Sequence, residues 1–149
     1  MMQNISLIPS SVFDVVEQDF AQLISPALEM SHGREDLVNV VERVRSDMYQ
    51  CWLVFDENNK PISALVTRLE EYPTKRMLNF MFIGGAEMSD WHEDLLDVLE
   101  SFAKDNSCSG FELTGRPGWK KFLQKQGWTA PYVVCERMFA LEEEQRDVA

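Results

Sequence analysis

The chain has 149 residues, 45% of them hydrophobic and 26% charged, with a net charge of −11, the balance of a globular domain long enough to bury a core. Such an acidic surface adds repulsion to any encounter with nucleic acid or an anionic membrane, so neither is expected as a partner. No stretch approaches the roughly 20 apolar residues of a membrane helix, and residues 1–9 lack the basic region and long apolar run of a secretion signal; a cytoplasmic protein is expected.

Taken in order, a short strand is expected over 5–8, closed by Pro9. Ser11 with Asp14 starts a helix through Val12, Val15, Val16, Phe20, Leu23 and Ile24, which Pro26 kinks or stops. After a break at Ser31-His32-Gly33, Leu37, Val40, Val41, Val44 and Met48 form the apolar stripe of a second helix. Residues 51–55 and 62–69 are rich in strand formers and flank Asp56-Glu57-Asn58-Asn59-Lys60-Pro61, whose turn composition predicts a hairpin. Glu71-Tyr72-Pro73-Thr74 makes the next turn, so the strand from Arg76 should run antiparallel to its predecessor.

The run Met77, Leu78, Phe80, Met81, Phe82 and Ile83 reads as a strand buried on both faces, followed by a glycine turn at Gly84-Gly85. Asp90 with Glu93 gives a capping-box pattern, Ser89 being the alternative cap, and Trp91, Leu95, Val98, Leu99 and Phe102 recur at helical spacing up to Asp105-Asn106-Ser107. A short strand over 111–114, the turn Gly115-Arg116-Pro117-Gly118, a brief helix over 119–126 closed by Gly127, and a last strand over 132–141 complete a single domain, with a charged tail at 142–149. Cys51, Cys108 and Cys135 are odd in number and lack metal-ligand spacing, so they read as buried free thiols and no metal is expected.

The expected architecture is α/β, with a mixed, mostly antiparallel sheet and helices on both faces. Strand 76–83 should be central, with 62–69 antiparallel on one side and 111–114 parallel on the other. A helical crossover joins the parallel pair, and that pairing should splay at the Gly84 end.

This order of elements resembles the GCN5-related N-acetyltransferase (GNAT) fold. The likeness is carried by the hairpin Trp52-Leu53-Val54-Phe55-Asp56 to Pro61-Ile62-Ser63-Ala64, the strand, glycines and helix at Gly84, and Phe122-Leu123-Gln124-Lys125-Gln126-Gly127-Trp128, similar to the family's Phe/Tyr-x-x-x-Gly-Phe close. More narrowly, Gly115-Arg116-Pro117-Gly118-Trp119 with Cys108 upstream resembles GNAT-like proteins encoded by tailed bacteriophages. The resemblance implies an acyl-CoA-dependent N-acetyltransferase. Acetyl-CoA would be held by Ile83, Gly84, Gly85 and Ala86, with Arg116 as an anion partner, and the acyl acceptor is unidentified. The alternative is a noncatalytic protein of the same fold that binds a protein partner, such as a phage assembly or virion component. The location would then be host cytoplasm or virion.

The chain also departs from the family. In place of Arg/Gln-x-x-Gly-x-Gly/Ala it offers Gly84-Gly85-Ala86-Glu87-Met88-Ser89, and Leu123 stands where many members place a proton-donating tyrosine. Glu87, Asp90, Glu93 and Asp94 crowd the helix start, where carboxylates satisfy the helix dipole and repel a pyrophosphate. The cofactor loop is therefore expected to be degenerate.

Among catalytic candidates, Glu112 lies on the strand after the central helix, and Glu70 and Glu71 end the hairpin strand. Each could take a proton from an amine, or be a solvated strand-end carboxylate. His32 lies where the resemblance implies that the acceptor enters, and His92 lies in the first turn of the central helix; a surface or capping role competes for both. Arg116, Lys120, Lys121 and Lys125 form either a solvated basic face or an anion site assisted by Gly115 and Gly118.

Overall fold

The structure, a computed structural model, describes residues 4–85, 88–115 and 117–140, with the backbone only at 88–92 and 117. In chain order it contains β1 (Asn4–Ile8), α1 (Phe13–Glu29), α2 (Leu37–Arg45), β2 (Gln50–Phe55), β3 (Pro61–Glu71), β4 (Arg76–Gly85), α3 (Met88–Asp105), β5 (Gly110–Leu113) and α4 (Pro117–Gln124). These fall into two compact units divided between Thr114 and Gly115.

The first unit is built on a five-stranded sheet in the order β1-β2-β3-β4-β5. All neighbours are antiparallel except β4 and β5, which are parallel, as the helical crossover between them requires. Alternation along the strands divides the core. Cys51 and Leu53 of β2 and Ala64 and Val66 of β3 pack with Phe13, Phe20, Ile24 and Leu28 of α1 and Val40, Val41 and Val44 of α2. Trp52 points the other way and meets Phe102 of α3 edge to face, with ring centroids 5.1 Å apart. The sheet is thus covered on both faces, and the expected fold class holds.

Several local expectations need correction. Of the two effects expected of Pro26, a kink or a stop, the stop does not occur: α1 runs three residues further to Glu29. A helical proline costs about 3 kcal/mol, yet Leu28 beyond it is buried in the core, and that burial offsets the cost. The helix is entered through a 3-10 turn at Ser10–Val12, and its N-cap Val12 makes no side-chain cap. Helix α2 is capped by Asp36, whose carboxylate accepts from the Asn39 amide at 2.8 Å. It ends before Met48, which is exposed, because Asp47 takes a positive φ of 64°.

Gly84 and Gly85 are not a turn. They are the last residues of β4, paired with Ala64 and Ser63. Helix α3 starts at Met88, so Ser89 and Asp90 lie inside its first turn rather than capping it.

The strand expected over 132–141 is absent from its described part, 132–140, which has no regular structure. Strand propensity there reflects side chains suited to a pleated, half-buried surface, and it cannot supply the hydrogen-bonding neighbour a strand requires. In the second unit α4 closes as expected: Gly127 has φ +87°, and the Trp128 amide returns to the Leu123 carbonyl at 3.1 Å. The expected tail, 142–149, lies outside the described residues.

Candidate functional site

The feature that sets β4 apart is a change in its pairing halfway along. Val66 pairs with Phe82 and Thr67 with Phe80, which leaves Met81 as an extra residue in a β-bulge. On the other edge, the ladder to β5 runs from Met77↔Gly110 to Phe80↔Leu113 and stops there. Beyond Phe80 the β5-side edge of β4 therefore has no strand partner among the described residues. In an antiparallel pair alternate residues direct their N–H and C=O groups away from the partner, so part of 81–85 offers backbone donors and acceptors to this open edge. Bulges are enriched beside active sites because they end pairing and redirect the chain.

Just short of the bulge, Arg68, Asn79 and Glu112 occupy one rung across β3, β4 and β5. The Asn79 amide donates to Glu112 Oε2 at 2.7 Å. Tyr72, from the β3–β4 turn, places its hydroxyl 3.0 Å from Glu112 Oε1 and 2.8 Å from Oε2. Glu70 is drawn to the same region by Arg68, whose Nε lies 2.7 Å from Glu70 Oε2. The hydrogen bond to Glu112, then desolvation, then the charges of Glu112 and Glu70, push the Tyr72 phenol above the ordinary tyrosine range, with Arg68 opposing.

A second, separate network lies at the α1–α2 connection. Tyr49 donates to Glu35 Oε2 at 2.9 Å, and Ser31 Oγ donates to the Glu35 carbonyl at 3.2 Å. Burial, followed by the bond to Glu35, raises the Tyr49 phenol, while Arg68 opposes the rise. His32 lies in this connection with φ 57° and is exposed.

Of the sequence candidates, Glu112 and Glu70 are brought together on this part of the sheet. Glu71 is exposed and turned to Arg76, 3.0 Å away. Ile83, Gly84 and Gly85 lie on the open edge; Ala86 and Arg116 lie outside the described residues, as does the side chain of His92. Lys120, Lys121 and Lys125 are exposed. Among the described residues no group of three metal-binding side chains occurs, and no helix is long and apolar enough to cross a membrane.

Sequence reasoning missed Tyr72, Asn79 and the Met81 bulge. Asn79 did leave a signal, as the polar residue inside Met77-Leu78-Asn79-Phe80: a polar group in a buried run needs a hydrogen-bonding partner. Tyr72 read only as part of a turn, and the bulge is a property of register rather than of composition.

The glycines bear on how acetyl-CoA would fit. A Cβ on Gly84 would meet the Leu23 carbonyl oxygen at 2.0 Å, and one on Gly85 the Ile62 carbonyl oxygen at 2.3 Å. Their lack of side chains is accounted for by packing against α1 and β3. The open backbone edge suits an acyl-pantetheine arm, and the absence of side chains at these two residues has a packing reason independent of any phosphate.

No family model matches the chain, and no curated protein matches it. Solved structures do. A ribosomal-protein-alanine N-acetyltransferase from Brucella melitensis biovar Abortus 2308 aligns with TM-score 0.65 and 16% identity, covering 93% of this chain and 100% of that one. A glucosamine-6-phosphate N-acetyltransferase from Arabidopsis thaliana aligns with TM-score 0.61 and 14% identity, over 93% and 99% of the two chains. An aminoglycoside acetyltransferase, HMB0005, from an uncultured soil metagenomic sample gives 0.67 and 9%, over 93% and 98%. At these identities the likeness establishes the fold, which is that of the GNAT acetyltransferases.

Proposed function

We propose that this chain is an acyl-CoA-dependent N-acetyltransferase in which the open edge of β4 receives the acyl arm and Glu112 takes the proton of the attacking amine. The observation that carries this reading is the break in β4: pairing with β5 ends at Phe80↔Leu113, one residue before the bulge at Met81. Acetyl-CoA, when bound, would supply the acetyl group as an activated thioester. Ile83, Gly84 and Gly85 would hold it through backbone groups, with Ala86 next to them in sequence. Glu112 sits on the rung beside the end of the ladder, half-buried and held by Tyr72 and Asn79. That places a carboxylate next to the open edge, where general base catalysis contributes about 10²–10⁴-fold. Leu123 stands in the place of the family's tyrosine, so Glu112 would return the proton it has taken from the amine to the CoA thiolate as it leaves, which regenerates the carboxylate.

A thermal-shift titration with acetyl-CoA tests the binding step. Ligand at about 100 times its dissociation constant should stabilise the protein by about 2.7 kcal/mol. Because the sequence sets two carboxylates, Glu87 and Asp90, directly after Gly84-Gly85-Ala86, the double variant Glu87→Gln/Asp90→Asn should bind more tightly, with a gain that shrinks as salt is added. If neither protein is stabilised, the enzymatic reading fails and a noncatalytic binding role takes its place.

A further inference from the structure

Glu112 is the meeting point of segments far apart in sequence. Asn79 reaches it from the adjacent strand, and Tyr72 reaches it from 40 residues away. The single phenolic proton of Tyr72 is shared between both carboxylate oxygens, at 3.0 and 2.8 Å, which constrains the carboxylate plane. Asn79 binds Oε2 alone and so distinguishes the two oxygens. A carboxylate offers about four acceptor positions, so these donors orient Glu112 without exhausting its capacity to accept a proton.

Tyr72 is itself held by a rigid turn. Its amide donates to the Lys75 carbonyl at 2.8 Å, and Pro73 follows it, which restricts Tyr72 to extended backbone. The phenol keeps its proton, since its neighbours Glu112 and Glu70 both oppose ionisation and only Arg68 favours it. It is therefore a donor throughout the neutral range.

We propose that Tyr72 is a positioning residue that holds the Glu112 carboxylate in one orientation for deprotonating the acceptor amine. This rests on the role assigned to Glu112 above and adds a residue for which neither the resemblance nor the chain's own pattern gave a function. A purely architectural clamp, tying β5 to the β3–β4 turn, would use the same bonds; kinetics separate the two.

The experiment follows CoA thiol release with acetyl-CoA and three probe amines, n-butylamine, spermidine and a glycine-led peptide, for wild type, Tyr72→Phe, Glu112→Gln and the double variant. Tyr72→Phe should lower kcat about tenfold, the loss of one hydrogen bond to a charged group, with KM for acetyl-CoA unchanged and the fold intact by circular dichroism. Glu112→Gln should lower kcat about a hundredfold. The double variant should be no slower than Glu112→Gln, because Tyr72 acts only through that carboxylate.

A Tyr72→Phe enzyme with wild-type kcat overturns the proposal. So do losses that multiply in the double variant, and so does a fully active Glu112→Gln. A wild type that transfers to none of the probes overturns the enzymatic reading and this proposal with it. A ligand-free arm checks the geometry in solution. The spectrophotometric titration of Tyr72, taken as wild type minus Tyr72→Phe, should move to lower pH when Glu112 becomes glutamine. An unmoved titration removes the hydrogen bond on which the proposal stands.

Discussion

Gly84 of β4 and Leu23 of α1 meet backbone to backbone: a Cβ on Gly84 would lie 2.0 Å from the Leu23 carbonyl oxygen and 3.2 Å from Ile24 Cα. A helix can be set this close to a strand only where the strand carries no side chain. Gly84→Ala should therefore force α1 away from the sheet and cost about 3 kcal/mol, the upper part of the range for overpacking, as measured by urea unfolding. A variant within about 0.5 kcal/mol of wild type, the usual range for surface substitutions, would mean that α1 lies further from β4.

The buried side-chain relay on the other face should be equally sensitive. Trp52 Nε1 donates to Thr67 Oγ1 at 2.9 Å, and Thr67 donates on to Gln50 Oε1 at 2.9 Å. Thr67→Val keeps the shape and removes the hydroxyl, leaving the indole N–H without its acceptor in a buried site. The expected loss is about 1–3 kcal/mol. Thr67→Ser, which keeps the hydroxyl, should lose less, and calorimetric melting of the pair decides the matter.

Arg45 makes the opposite case. It joins α2 to α1 through Asp14, at 2.9 Å, and Glu17, but its side chain is 49% exposed and that of Asp14 is 82% exposed. Solvent screens such a pair, so Arg45→Ala should cost less than about 1 kcal/mol, and less still in high salt. A loss of several kcal/mol in chemical denaturation would show that the helix pair depends on it.

The resolved titration shifts point to weakness at alkaline pH. Burial pushes the Cys51 thiol from 9.0 to about 12. Burial raises Tyr49, and the bond to Glu112 raises Tyr72. In each case the native state keeps a proton that the unfolded chain releases sooner. The stabilisation is complete below the unfolded value and is lost as pH climbs toward the folded one. The urea midpoint should accordingly fall from about pH 9 upward, and Cys51→Ala should flatten that fall. Burial was expected of all three cysteines, but only Cys51 is buried, Cys108 being intermediate and Cys135 exposed; Cys51 should therefore resist Ellman's reagent in the native protein while Cys135 reacts, and modification of Cys51 at the rate of Cys135 would contradict its burial.

The order of elements was legible in the chain because the signals that carry it are local. Strand formers at 51–55 and 62–69 flank a turn-rich loop, and the observed hairpin is β2 and β3. The stripe Leu37, Val40, Val41 and Val44 is the apolar side of α2. The crossover at 88–105 dictated that β5 run parallel to β4. Glu112 and Glu70 could be named in advance as carboxylates at strand positions, since residue type and element are both local properties.

What the tertiary structure alone decided is which distant groups meet. Gly84 and Gly85 look like a turn in the sequence, but in the fold their missing side chains admit α1 and β3. Pro26 looks like a stop, but core burial on both sides of it carries the helix through. Residues 132–140 carry strand composition without a strand. Tyr72, Asn79 and Glu112 converge only because the register pairs Asn79 with Glu112 on the rung before the ladder ends. Composition and periodicity set the form of each segment. Register sets the contacts between segments, and a shift of one residue would turn every side chain of a strand to the opposite face.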